Sequence, residues 1–184
     1  MLQLAQDPDA DALLDRDPLA LLIGMLLDQQ FPMERAFAGP AGLARRLGVD
    51  RLDARALAEY DPEVLAAAFT GPPALHRYPA AMAGRVQALA ALLVDRYDGD
   101  AAALWRDAPD GATLFRRLKA LPGFGAQKAQ IFVALLGKQR GVTPPGSGAT
   151  SPTPPHFCAG SPPCPASARR RPRSSSRCWA SSAG

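Results

Sequence analysis

The first 140 of the 184 residues contain no cysteine and no serine. No disulfide and no thiolate metal site can therefore hold that part of the chain together. Long apolar runs are missing too, since the longest, Pro18 to Leu27, is about half the ~20 residues of a membrane-spanning helix. The N-terminal stretch is acidic, with Asp7, Asp9 and Asp11 where a secretory signal would carry basic residues. These absences lead us to expect a soluble, cytoplasmic protein with no membrane partner. Acidic residues are absent beyond Asp110, and the two histidines, His76 and His156, are too isolated to suggest a metal site.

What is present falls into two parts. Residues 1–140 carry 16 Lys and Arg against 17 Asp and Glu, a net charge of −1. Residues 141–184 carry five Arg, no acid, all three Cys, nine Pro and nine Ser. The formal net charge of +4 thus arises in the tail, and by itself gives no ground for nucleic-acid binding. Two explanations of residues 143–184 stand: a disordered Pro/Ser/Arg-rich tail, unable to bury enough apolar surface to order itself, or a GC-rich gene read out of frame.

Residues 1–142 read as an all-α domain. Asp17-Pro18 is a cap followed by Pro at the first helical position, and Leu19, Leu22, Ile23, Leu26 and Leu27 continue at helical spacing. A helix apolar around most of its circumference is expected to be central. Short helices are expected at Met33–Ala38 and, between Pro40 and Gly48, at Ala41–Leu47. Two more begin at the caps Asp53 and Asp61. Met82, Val86, Leu89, Leu93 and Tyr97 mark an amphipathic helix over Ala80–Tyr97, stopped by Asp98-Gly99. Helices at Ala101–Asp107, Ala112–Ala120 and Ala126–Gly137 complete the domain.

The informative stretch is 112–137, in which Leu121-Pro122-Gly123-Phe124-Gly125 separates two apolar helices and Ala129 follows at the fourth position of the second. Gly123 and Gly125 permit positive φ and close approach by a ligand. Phe124 is expected to pack between the helices. The free amides opening the second helix, at its positive dipole end, then form an anion site, with Lys128 facing a phosphate or solvent. Such a clamp holds a phosphodiester backbone without reading sequence. An ordinary helix–turn–helix corner is the alternative. The full pattern resembles the helix-hairpin-helix of the HhH-GPD superfamily of base-excision DNA glycosylases, which includes endonuclease III and adenine glycosylase. Leu22-Ile23-Gly24-Met25-Leu26-Leu27-Asp28-Gln29-Gln30 is similar to a buried helix near the N-terminus of these proteins. The likeness is closest to a small bacterial group of unestablished substrate.

The resemblance implies a DNA-contacting segment made of Leu121, Pro122, Gly123, Phe124, Gly125, Gln127 and Lys128. It also implies a wedge, Gln30 with Gln29 second, that fills the gap left by a flipped-out nucleotide. Where bifunctional relatives carry a Schiff-base Lys, this chain has Gln127, which implies a monofunctional glycosylase and not a lyase. The superfamily's catalytic Asp would fall near Pro145, beyond the last acid, leaving Asp28 as a candidate carboxylate. Cys158, Cys164 and Cys178 lack the spacing of the iron–sulfur ligands found in many relatives, so no cofactor is expected. The implied function is base-excision repair by a monomeric, nucleoid-associated bacterial hydrolase, on duplex DNA with a damaged or mismatched base. The alternatives are a non-catalytic DNA binder and an inactive, truncated or frameshifted glycosylase. Arg169–Arg177 carries the charge of a nucleic-acid-binding arm without an ordering element.

Overall fold

A computed structural model describes residues 3–140, with the side chains of Lys138, Gln139 and Arg140 excepted. The tail 143–184, with Cys158, Cys164, Cys178, His156 and Arg169–Arg177, lies outside the described residues, as does its expected disorder. Among the described residues all regular structure is helical: α1 Pro8–Arg16, α2 Pro18–Leu27, α3 Met33–Leu47, α4 Ala54–Glu59, α5 Pro62–Thr70, α6 Pro79–Tyr97, α7 Ala103–Arg106, α8 Gly111–Lys119 and α9 Ala126–Arg140. None of these helices is long and apolar enough to cross a membrane.

Aspartate sets most of the starting points. Asp7, Asp17, Asp53, Asp61 and Asp110 each accept first-turn amides, and Pro occupies the first position of α1, α2 and α5. Helix α1 is an addition to the sequence expectation, although its Asp7-Pro8 start is the same signal that marks α2 and α5. Asp17 does more than cap, since it is buried and its second oxygen accepts the Leu52 amide at 3.0 Å, tying the start of α2 to the segment before α4. Every residue of α2 from Leu19 to Leu27 is buried, in keeping with its apolar circumference. Gly24 allows close packing, because a Cβ there would lie 2.6 Å from the Phe37 ring of α3.

One boundary is corrected. The two segments expected around Pro40 form the single helix α3, with Pro40 inside it. An interior Pro costs roughly 3 kcal/mol through its missing N–H and its ring clash. Here Ala36, Phe37, Gly39, Pro40, Leu43 and Ala44 are all buried, so packing on both sides of Pro40 holds the helix straight through. The other expected boundaries shift only slightly: α7 is shorter than Ala101–Asp107, α8 begins one residue early, and α9 runs three residues past Gly137. The stop after α6 uses positive φ at both Asp98 and Gly99.

Candidate nucleic-acid interface

The turn between α8 and α9 is built from its own sequence. Leu121 and Phe124 are buried, Phe124 meeting Phe132 of α9 edge to face at a centroid distance of 6.1 Å. The Phe124 amide donates to the Leu121 carbonyl at 3.1 Å. Gly123 has φ 78, and a Cβ there would stand 2.5 Å from Leu26 of α2, so both conformation and packing demand glycine. Gly125 differs from the expectation in that its φ is not positive, and nothing lies within 4 Å of where its Cβ would be. Its carbonyl accepts the Ala129 amide at 3.0 Å, which makes Gly125 the cap of α9, without a side chain to cover the amides that follow. Gly125, Ala126 and Gln127 are exposed, and Ala129 is buried against the core.

Lys128 also departs from the expectation. Its ammonium turns inward and donates to the Met25 carbonyl at 2.7 Å and the Leu26 carbonyl at 3.2 Å. Those are carbonyls at the C-terminal end of α2, the negative pole of the helix, where backbone carbonyls lack intrahelical partners. Burial pulls the pKa of Lys128 down to about 8, Asp28 opposes that shift, and the Arg85 charge adds to it.

The segment after α2 is held against the turn. Asp28 closes the helix, and the Gln29 side chain donates to the Leu26 carbonyl at 2.9 Å and to the Gly123 carbonyl at 3.3 Å. Its amide oxygen accepts from Arg85 of α6. Gln29 is thus a brace between three parts of the chain, whereas a wedge must be free to leave the protein. Gln30 is exposed and holds φ 54, a left-handed conformation unusual for a side chain larger than glycine.

Between the end of α2 and the hairpin lies a cleft of about 400 Å³, with Asp28, Gln127 and Lys128 at its polar positions and Met25 and Ile131 among its apolar ones. A smaller depression of about 210 Å³ adjoins Gln30 on the other side, bounded by Tyr78, Met82 and Arg85. No family model matches the chain, and no curated protein matches it. Solved structures are among the proteins similar to this chain. One is a trapped endonuclease III–DNA covalent intermediate in an estranged-adenine complex, at 20% identity and a TM-score of 0.45, over 73% of this chain and 60% of that one. The chain therefore spans less than two thirds of the length of that relative.

Three residues beside the candidate interface carry roles that their sequence positions do not announce. Tyr78 is 47% exposed beside Gln30, with the Arg77 guanidinium 5.4 Å from its ring centre. Arg85 reaches Gln29 from α6. His76 is buried, accepts the Tyr78 amide on Nδ1 at 3.0 Å and donates from Nε2 to the Gln29 carbonyl at 3.2 Å. Its ring also packs 4.7 Å from that of Phe31. One imidazole therefore joins the Gln30 segment to the Tyr78 segment. The dipeptide Arg77-Tyr78 ahead of Pro79, an aromatic and a cation at the start of a helix, was the available signal for Tyr78. Among the described residues no three His, Cys, Asp or Glu side chains stand close enough to share a metal ion.

Proposed function

We propose that the chain is a monofunctional DNA glycosylase of the helix-hairpin-helix kind, most like the small bacterial group named above. It binds duplex DNA by the α8–α9 hairpin and removes a damaged or mismatched base. One observation carries this reading: Gln29 bonds to Gly123, which fixes the exposed Gln30 beside a turn whose Gly125, Ala126 and Gln127 are exposed. In this reading a backbone phosphate sits on the first amides of α9. Gln30 and Tyr78 enter the duplex, and the displaced nucleotide turns into the 400 Å³ cleft. The planar amide of Gln30 can pair with the orphaned base, and the Tyr78 ring can stack on it. Asp28 lines that cleft and is the carboxylate placed to support a positively charged sugar or to take a proton from water.

A panel of duplexes bearing deaminated, oxidised or alkylated bases tests the reading by release of free base. Gly125→Asp puts an anion among the α9 amides and is expected to weaken duplex binding at least tenfold; unchanged affinity would remove the hairpin from the account. Binding without base release across the panel would leave the second reading, a non-catalytic DNA binder. That reading draws on the cleft lining, which includes one carboxylate, Asp28.

A further inference from the structure

A second concavity lies apart from the cleft of the hairpin, a groove of about 450 Å³ between α3 and the 71–75 segment. Ala38, Leu75, Pro72 and Pro73 give it an apolar lining, with Gly39 and Gly42 packed toward Leu27 and Leu75. Three guanidiniums line it, those of Arg35, Arg45 and Arg46, and no carboxylate does. That local concentration stands out in a region, residues 1–140, whose acids outnumber its bases by one.

The three arginines divide by role. Arg46 is structural, donating to the Ala68 carbonyl and, at 2.6 Å, to the Pro73 carbonyl, so it fixes the wall. Arg35 and Arg45 are exposed. The Arg35 guanidinium lies 5.8 Å from the Phe31 ring centre, and Arg45 makes one long bond to the Ala41 carbonyl, 3.4 Å. Neither is paired with a carboxylate among the described residues. Beyond Arg45, Asp7, Asp9 and Asp50 border the next depression, so negative charge bounds the groove at that end. At the opposite end the groove opens at Phe31, the residue after Gln30.

We propose that this groove holds a nucleotide of the DNA strand running on from Gln30. Its two flanking phosphates lie one toward Arg35 and one toward Arg45, and its base lies against Leu75, Phe31 and the prolines. Guanidinium groups suit phosphate oxygens, and aromatic and Pro faces accept any base without choosing among them. The volume is that of a small-molecule site. The acidic border beyond Arg45 ends the contact after about one nucleotide. The inference rests on the function proposed above, because the strand is placed by Gln30.

The test compares the full chain with Arg35→Ala/Arg45→Ala and with Gly125→Asp. Affinity is measured by fluorescence anisotropy on duplexes centred on a tetrahydrofuran abasic analogue, with one strand shortened stepwise. The double variant is expected to lose about tenfold in affinity at 0.1 M salt and to lower the salt slope by about two, one for each phosphate-directed arginine. On duplexes trimmed short of the groove, it and the parent should bind alike. An unchanged affinity and slope for the double variant, with Gly125→Asp still weakening binding, would overturn the groove and leave the hairpin reading standing. Weakening by the double variant alone, with Gly125→Asp inert, would overturn the hairpin reading and keep the groove. A titration with free dTMP separates the remaining source: dTMP binding that the double variant abolishes, at unchanged duplex affinity, would make the groove a mononucleotide site and overturn the strand assignment.

Discussion

Between the Gln29 carbonyl and the Tyr78 amide, His76 serves as donor on one nitrogen and acceptor on the other, which requires the neutral ring. Burial lowers its pKa, and the charges of Arg85 and Lys128 act in the same direction. Folding then opposes protonation, so the stability tied to His76 is complete above the unfolded value of about 6.5 and is lost as pH falls from there through the lower folded value. Urea midpoints of the parent and His76→Gln, measured from pH 7.5 to 5, are expected to converge as pH falls. A gap that stays constant across that range would show that His76 does not titrate in the fold. The Tyr78 amide is two residues from His76, but nothing in the sequence announces the Gln29 carbonyl, 47 residues earlier, which reaches the ring only in three dimensions. The inward turn of Lys128 was hidden for the same reason: the carbonyls it seeks lie about a hundred residues earlier in the chain. Its engagement with them bears on chemistry as well. An amine already bonded to two carbonyls is poorly placed to attack a sugar, and on the proposed function the exposed Gln127 takes the position of a lyase's lysine. Borohydride treatment with an abasic duplex is expected to trap no adduct with the parent and to trap one with Gln127→Lys, in which an amine enters the cleft. A trapped adduct on Lys128 in the parent would overturn the monofunctional reading.

At the level of elements, sequence and structure agree where the determinant is local. Asp-Pro pairs and the apolar spacing of α2 and α6 act within one or two turns, and the structure keeps them. Agreement fails at Pro40, where local chemistry favours a break and the burial of six α3 residues prevails. The aspartate caps permit a graded prediction, since they are alike in sequence and unlike in surroundings. Asp61 is exposed and accepts only its own first-turn amides, whereas Asp17 is buried and also satisfies Leu52 of a distant segment. Asp61→Ala is expected to cost about 1 kcal/mol, the ordinary value of a cap. Asp17→Ala should cost about 2–4 kcal/mol, because the lost cap is joined by a buried amide without an acceptor. Equal shifts in urea midpoint for the two variants would mean that the Leu52 bond contributes nothing.

For the whole molecule, the proposed function raises the question of where attraction to DNA would originate. A net charge of −1 over residues 1–140 provides no general pull, and the five tail arginines outweigh it in the total. Phosphate attraction is blind to damage, so a charged tail raises affinity for intact and altered duplexes by the same factor. On the proposed function, discrimination has to come from groups that would meet the displaced nucleotide and its gap, namely Gln30, Tyr78 and the cleft beside Asp28. The two contributions are separable in the full-length chain. Replacing Arg169, Arg170, Arg171, Arg173 and Arg177 by Gln is expected to lower affinity for both duplexes and flatten the salt dependence. The ratio of affinities for an abasic-analogue duplex over its intact counterpart should stay the same. Gln30→Ala should do the reverse, reducing that ratio severalfold while the salt slope holds, because an amide releases no counterions. If neutralising the tail collapsed the ratio, or Gln30→Ala left it intact, recognition would have to move from the hairpin face to the arginine segment.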